Sequence, residues 1–370
     1  MRFLIAPDKF KGSLDARAVA EQIALGIRDV MPDAEIVIAP IADGGEGTAE
    51  AICGARAGEW VTCAAHDALG RTIQARYAWL ADAKTAVMDM SEAAGLRRLL
   101  PNERDVRKAD SFGVGEMLLH AANRGAREII VGLGGSATND GGVGLARALG
   151  FRFLDRDSVE ILTDVLRLSA LVRIVRPADL ALPSIVAATD VRNPFLGARG
   201  ASHTYARQKG ADDNQIEAME EALTRLADVA ANDLGNNFRD VPGAGAAGGL
   251  GFGLLTFCGA QIREGFDVIA EIIELKSAVA KSDIVITGEG SLDRQTLEGK
   301  GPGGVAHLAR ALGKRVYAIA GRAADDAEVH ALFDGVFTVA HPSISEAECF
   351  ARAGDLLRTR GSELARALTA

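Results

Sequence analysis

The sequence predicts an α/β protein of two domains: a flavodoxin-like doubly wound parallel sheet and an inserted α/β domain with a mixed sheet. Three observations carry this. Short apolar runs alternate with helical patterns at both ends of the chain, as parallel βαβ units do. Between residues 60 and 90 the apolar runs follow one another through turns, with no room for a helix, so they must pair antiparallel. A length of 370 residues fits two domains or one large α/β domain.

Each element follows from its residues. Residues 3–6 are a strand, and Ser13 is placed to cap a helix in which Val19, Ile23, Ile27 and Val30 recur at helical spacing. Pro32 ends it, and residues 35–39 form the second strand, followed by the loop ADGGEGT. This strand–helix–strand spacing predicts a right-handed parallel unit. Residues 60–64, 72–79 and 85–90 are the antiparallel strands. A helix is expected over 106–123, with Val114, Met117 and Leu118 on one face, then strands at 129–131 and 185–188 and helices over 213–232 and 250–258. The C-terminal third alternates strand and helix: strands at 283–287, 316–320 and 336–340, helices at 305–312 and 327–333, and a closing helix. Two N-terminal and three C-terminal strands give five, which suits the flavodoxin-like sheet. The expected domains are therefore 1–55 with 266–370, and an insertion at 56–265.

Composition narrows function. The net charge is −9 with no basic stripe, which argues against nucleic acid as a partner. Cys53, Cys63, Cys258 and Cys349 form no CxxC and no zinc spacing, consistent with thiols in a reducing compartment. No apolar run nears the roughly 20 residues needed to span a bilayer, and MRFLIAPDKF is too short for a signal segment. A cytoplasmic protein with no membrane partner is expected.

Four strand ends share one pattern of glycine, acid and hydroxyl: APDKFKGS, IADGGEGT, VGLGGSATNDGG and VITGEGSLD. Ligands of open α/β sheets collect at the carboxyl ends of strands. Glycines there let backbone N–H groups turn toward an anion, and a following helix adds its positive end. The stretch LGGSATNDGGVG, residues 133–144, has five glycines in twelve positions and predicts a phosphate cradle on Gly134, Gly135, Ser136, Thr138, Asn139, Gly141 and Gly142. A dinucleotide site stays open as well, because Gly132 to Ala137 fits G-x-G-x-x-A and Asp155 follows a possible strand at 151–154. A second match, Gly243 to Gly248, follows Pro242 rather than a strand and reads as a tight helix entry. No G-x-x-x-x-G-K-[ST] occurs, because Arg294 stands where its first glycine belongs.

Acids complete the pattern. Asp8, Asp43, Glu46, Asp140, Asp190, Glu289 and Asp293 all lie at strand ends or in glycine loops. Phosphoryl transfer needs Mg²⁺, held by one or two carboxylates, and a carboxylate to take or orient the attacking hydroxyl. Among cations, Lys9, Lys11, Arg192 and Lys300 sit beside these loops, and the segment PFLGARGASHTYARQKGA adds His203, Arg207 and Lys209. Each such charge has an ordinary alternative as a cap, a turn residue or a solvated surface group.

The blocks APDKFKGSL, ADGGEGT, GGSATNDGG, ATDVRNPFLG, GAGAAGGLG and ITGEGSLDRQTLEGKGP together resemble the signature blocks of the bacterial glycerate kinases. That family phosphorylates D-glycerate with ATP, often giving 2-phosphoglycerate. The resemblance runs from residue 6 to about residue 320, in unchanged order. Position 9 is Lys where the family pattern has Ser, so no catalytic role passes to Lys9. The resemblance implies ATP and Mg²⁺ as cofactor and metal, D-glycerate as substrate, and 2-phosphoglycerate rather than 3-phosphoglycerate as product.

With it, the residues read as follows. ATP phosphates lie along 134–142. Asp43 and Asp190 ligate Mg²⁺ or activate the hydroxyl, with Glu289 a further metal ligand and Asp293 in reserve. Lys11, Arg192 and Lys300 hold the glycerate carboxylate and the transferring charge. The rival readings are an NAD(P)-dependent oxidoreductase of a small hydroxy acid and a sugar-acid sensor without turnover.

Overall fold

A computed structural model describes residues 1–162, 164–297, 301–341 and 344–369. The chain divides into two compact units. The first comprises Met1–Asp43, Glu50–Arg56 and Phe266–Ala370, the second Gly44–Ala49 and Ala57–Gly265. Residues 44–49, counted with the parallel domain from sequence, thus belong to the second unit.

The first unit is built on five parallel strands: Arg2–Ile5, Glu35–Ile38, Ile284–Thr287, Arg315–Ala320 and Gly335–Thr338. Numbered in that chain order, they lie 2-1-3-4-5 across the sheet, the flavodoxin-like arrangement. Phe3, Ile5, Ile284 and Ile286 pack with Ile23 and Ile27 of helix Ala16–Val30 and with Leu357 and Leu364 of helix Ala353–Thr369. The cap of helix Ala16–Val30 is Asp15, not Ser13: Asp15 accepts the Ala18 N–H at 2.7 Å. Residues 10–14 close their own tight bridge, Phe10 to Leu14, so the helix begins only after it.

The second unit carries a six-stranded mixed sheet in the order Gln261–Arg263, Ser184–Ala188, Glu128–Gly132, Thr85–Asp89, Thr72–Leu80 and Glu59–His66. The first four run parallel. The last two add antiparallel, as the turn-linked runs predicted. The helix expected from residue 106 is Phe112–Asn123. Asp110 stops it earlier, accepting the Phe112 N–H at 3.0 Å while donating its own N–H to the Ala68 carbonyl. The strand at 151–154 is Arg152–Leu154, but it pairs antiparallel with Arg173–Val175 in a separate two-stranded ribbon.

Helix Ala246–Cys258 opens on a kink in which Ala247, Gly248 and Gly249 all take left-handed backbone angles. For Ala247 that conformation costs about 1 kcal/mol or more. Gly248 explains why it is kept. A Cβ at 248 would lie 1.9 Å from the Thr138 carbonyl oxygen, so only glycine lets the two backbones meet. Among the described residues no helix is long and apolar enough to cross a membrane.

Candidate functional site

In the second unit the four parallel strands deliver Asp89, the 133–144 loop, Asp190 and Glu264 to one carboxyl edge. The loop has two halves with different tasks. Its tip, 134–137, lies against 94–96: Leu96 N–H donates to the Gly135 carbonyl and Ala137 N–H to the Ala94 carbonyl, both at 2.8 Å. That pairing uses carbonyls and leaves amides. Among the described residues no group accepts from the N–H of Gly134, Gly135 or Ser136. Gly135 is exposed with φ +67°. Three successive amides with one left-handed residue between them form an anion-binding concavity.

The other half is packed into protein. Thr138 and Asn139 are fully buried and Asp140 nearly so. Asn139 donates to the Ser202 hydroxyl at 3.1 Å. Asp140 accepts from the Ser111 N–H and hydroxyl and from the N–H groups of Gly142 and Gly144, which ties the loop to the start of two helices. Gly141 faces Leu226 and Phe195, and a Cβ on Gly142 would stand 2.7 Å from Gly253 Cα. The glycine richness of 141–144 therefore serves protein packing. The sequence alone could not separate that need from a ligand's.

One residue behind the loop carries no signal in the pattern of apolar spacing. Lys209 is 1 % exposed, and its ammonium donates to Ser136 Oγ at 2.8 Å and to the Thr138 carbonyl at 2.6 Å. The sequence reading placed it only among the cations of its segment.

Asp190 accepts the Gly265 N–H at 2.8 Å, which fixes the loop after strand Ser184–Ala188. Arg192 is exposed and lies 3.6 Å from Glu264. Asp89 accepts from the N–H groups of Gly47 and Ala49 at 2.8 and 3.1 Å, so it holds the ADGGEGT loop. Glu46 meets Arg97 at 3.2 Å.

The first unit gathers acids. Its strand order reverses between Arg2–Ile5 and Ile284–Thr287, the switch point where such sheets bind ligands. Asp8 and Glu289 lie just beyond these two strands. Burial pushes the Glu289 carboxyl up to about 7, the hydrogen bond from Thr296 opposes that, and the charges of Asp8, Asp293 and Asp43 add to it. Thr296 Oγ1 donates to Glu289 at 2.9 Å. Asp293 accepts the Gln295 N–H at 2.8 Å, an ordinary helix-start role. Asp43 is exposed, with Lys9 Nζ at 3.9 Å, and Lys11 is exposed. Lys300 lies outside the described residues.

Asp43 and Glu289 thus belong to the first unit, where the Asp43 charge acts on the Glu289 carboxyl, while Asp190, Arg192 and the glycine loop belong to the second. Among the described residues no group of three or more acids, histidines or cysteines forms a metal cage. Mg²⁺ asks less: it keeps several waters and takes one or two carboxylates plus phosphate oxygens, and Glu289 and Asp43 are donors of that class. Asp155, the ribose ligand of the dinucleotide reading, sits in the turn of the separate ribbon and accepts the N–H groups of Asp157 and Val159. Its strand never joins the sheet that carries the glycine loop, so the context that reading requires is missing.

Comparison with known proteins agrees with the strand-end blocks. The profile described as Glycerate kinase family matches residues 3–369. Glycerate kinase of Haemophilus influenzae is 40% identical over 92% of this chain and 92% of its own length. Glycerate 2-kinase of Escherichia coli K12 is 41% identical over 92% of this chain and 90% of its own. A solved structure assigned as glycerate kinase 2 from Salmonella typhimurium LT2 superposes with a TM-score of 0.87 at 39% identity, covering 100% of this chain and 98% of that one. This chain belongs to the glycerate kinase family.

Proposed function

We propose that the protein transfers the γ-phosphoryl group of ATP to a hydroxyl of D-glycerate, giving 2-phosphoglycerate in preference to 3-phosphoglycerate, with ADP and a proton released. The observation that carries this is the run of three amides, 134–136, which find no acceptor in the described protein at a parallel-sheet carboxyl edge. Fixed N–H dipoles of that kind stabilise phosphate charge without reorganising. Gly134, Gly135 and Ser136 form the contacting tip in this reading. Thr138, Asn139, Gly141 and Gly142 are the packed base that gives the tip its shape.

Asp190 is the candidate to accept the proton of the attacking hydroxyl. Arg192 and Lys11 are the candidates for gripping the glycerate carboxylate and the transferring charge, and Lys300 is retained from the sequence reading for the same task. Mg²⁺ would be held by Asp43 and Glu289 and would supply neutralisation of the developing phosphate charge; Asp190 is retained from the sequence reading as a separate metal candidate.

The test is ADP release with D-glycerate, with and without Mg²⁺, followed by NMR of the product. Glycerate- and Mg²⁺-dependent ADP formation with the phosphate on the 2-position is expected. Glycerate-dependent NAD(P)H formation without ADP, or glycerate binding without turnover, overturns the reading.

A further inference from the structure

Bringing a lysine ammonium into a protein interior costs several kcal/mol unless it is well compensated. Lys209 is 1 % exposed, and among the described residues no carboxylate lies within ion-pair distance of it. Its partners are neutral: the Ser136 hydroxyl and the Thr138 carbonyl. Two neutral acceptors compensate a buried charge poorly, so stability alone gives little reason for a lysine here. What the lysine does is geometrical. While protonated, the ammonium can only donate, so Ser136 Oγ then accepts from it, and the hydroxyl's own proton is left to point elsewhere. The second bond pins the Thr138 carbonyl two residues on, fixing the 138–139 peptide just beyond the amide run.

We propose that Lys209 is a positioning residue of the reaction, which orients the Ser136 hydroxyl to donate toward a phosphoryl oxygen held at the 134–136 tip. The inference rests on the reading above, that this tip handles phosphate. Burial lowers the Lys209 ammonium to about 7, with the Asp140 charge opposing. That is the behaviour of an ammonium kept where its charge is not stabilised by the fold.

The experiment is steady-state kinetics with D-glycerate and MgATP on K209M, K209R, S136A and the double variant K209M/S136A, with thermal midpoints measured alongside. In K209M we expect kcat to fall about 10²-fold, the scale of a misplaced reacting group, while KM for glycerate changes far less and the thermal midpoint holds or rises. K209R recovers part of the loss. The double variant is no worse than its worse parent, because both changes remove one hydrogen bond.

S136A impaired with K209M at wild-type kcat, or a double variant whose loss is the product of the single losses, overturns the role of Lys209 alone. Wild-type kinetics in S136A overturns this inference and leaves the amide tip standing, whereas absence of glycerate-dependent ADP release in the wild type overturns the tip reading itself. If K209M does not fold, K209A is assayed with added propylamine. Turnover that rises with propylamine and not with propanol supports the role, and no rise overturns it.

Discussion

The two units reach the carboxyl ends of their parallel strands with opposite chemistry. In the second unit the strand end is closed: backbone packs on backbone at Gly142 and Gly248, Asp140 is spent on four loop hydrogen bonds, and one cation is buried under the loop. In the first unit it is closed only in part: Gly288 packs on Ile319 and Gly321 on Gly290, but a Cβ on Gly290 itself would find only ordinary contact, 3.7 Å from Lys11 N, and the charges of Asp8, Asp293 and Asp43 raise the affinity of Glu289 for protons. A closed edge can hold amides rigid for a fixed anion. A partly open, acid-rich edge suits a cation that arrives with its ligands.

The largest effect that sharpens this contrast comes from Asp190. Asp190→Asn keeps an oxygen for the Gly265 N–H, so the fold should stand, but it removes a carboxylate base. We expect kcat to fall about 10²–10⁴-fold, with an unchanged thermal midpoint, measured by the ADP assay and by calorimetry. Near-full turnover would strip Asp190 of its role and leave the second unit's edge with amides alone.

Gly248→Ala comes next. The new methyl must displace the Thr138 carbonyl at a left-handed position, and strain with overpacking costs about 3 kcal/mol together. The thermal midpoint falls and the tip amides lose register, so turnover falls too. Gly290→Ala in the first unit is the matching arm, with a stability change expected within about 0.5 kcal/mol. Equal costs at the two positions would erase the distinction between a closed and a partly open edge.

How much of this was legible in the sequence depends on the range of the forces involved. Strand and helix alternation is local, so the five strands of the first unit and the mixed sheet of the second could be read from apolar periodicity. Glycine loops at strand ends were equally visible. Their division of labour was not. Gly135 and Gly142 look alike in sequence, yet a side chain on the first would meet the Glu46 carboxylate and one on the second would meet Gly253, more than 100 residues away. Lys209 was missed for the same reason, since its acceptors lie 73 and 71 residues back along the chain and nothing in RQKGAD marks a buried charge. Asp15 took the cap expected of Ser13 because the Phe10 to Leu14 bridge shifts the helix start.

The smallest effect tests the two buried charges through pH. Glu289 has its folded value raised from 4.5 to about 7, so between those values the folded state binds more protons than the unfolded. Stability from this group therefore falls as pH rises through that window. Lys209 has its folded value lowered from 10.5 to about 7. Above 7 the unfolded state binds more protons, and stability from this group rises with pH. Each limb has a slope of at most about 1.4 kcal/mol per pH unit. Asp110, raised to about 6 by burial and by Asp140, adds to the first limb at its acidic end, and the buried Cys258 thiol, pushed up to about 12, works against the second above pH 9. The comparison is cleanest as differences: wild type against E289Q from pH 6 to 7, and against K209M from pH 7 to 9, by denaturant unfolding. E289Q should flatten the falling limb and K209M the rising one. If K209M leaves the rising limb unchanged, the ammonium is already solvated in the folded state, and the closed edge of the second unit is more open to water than its packing implies.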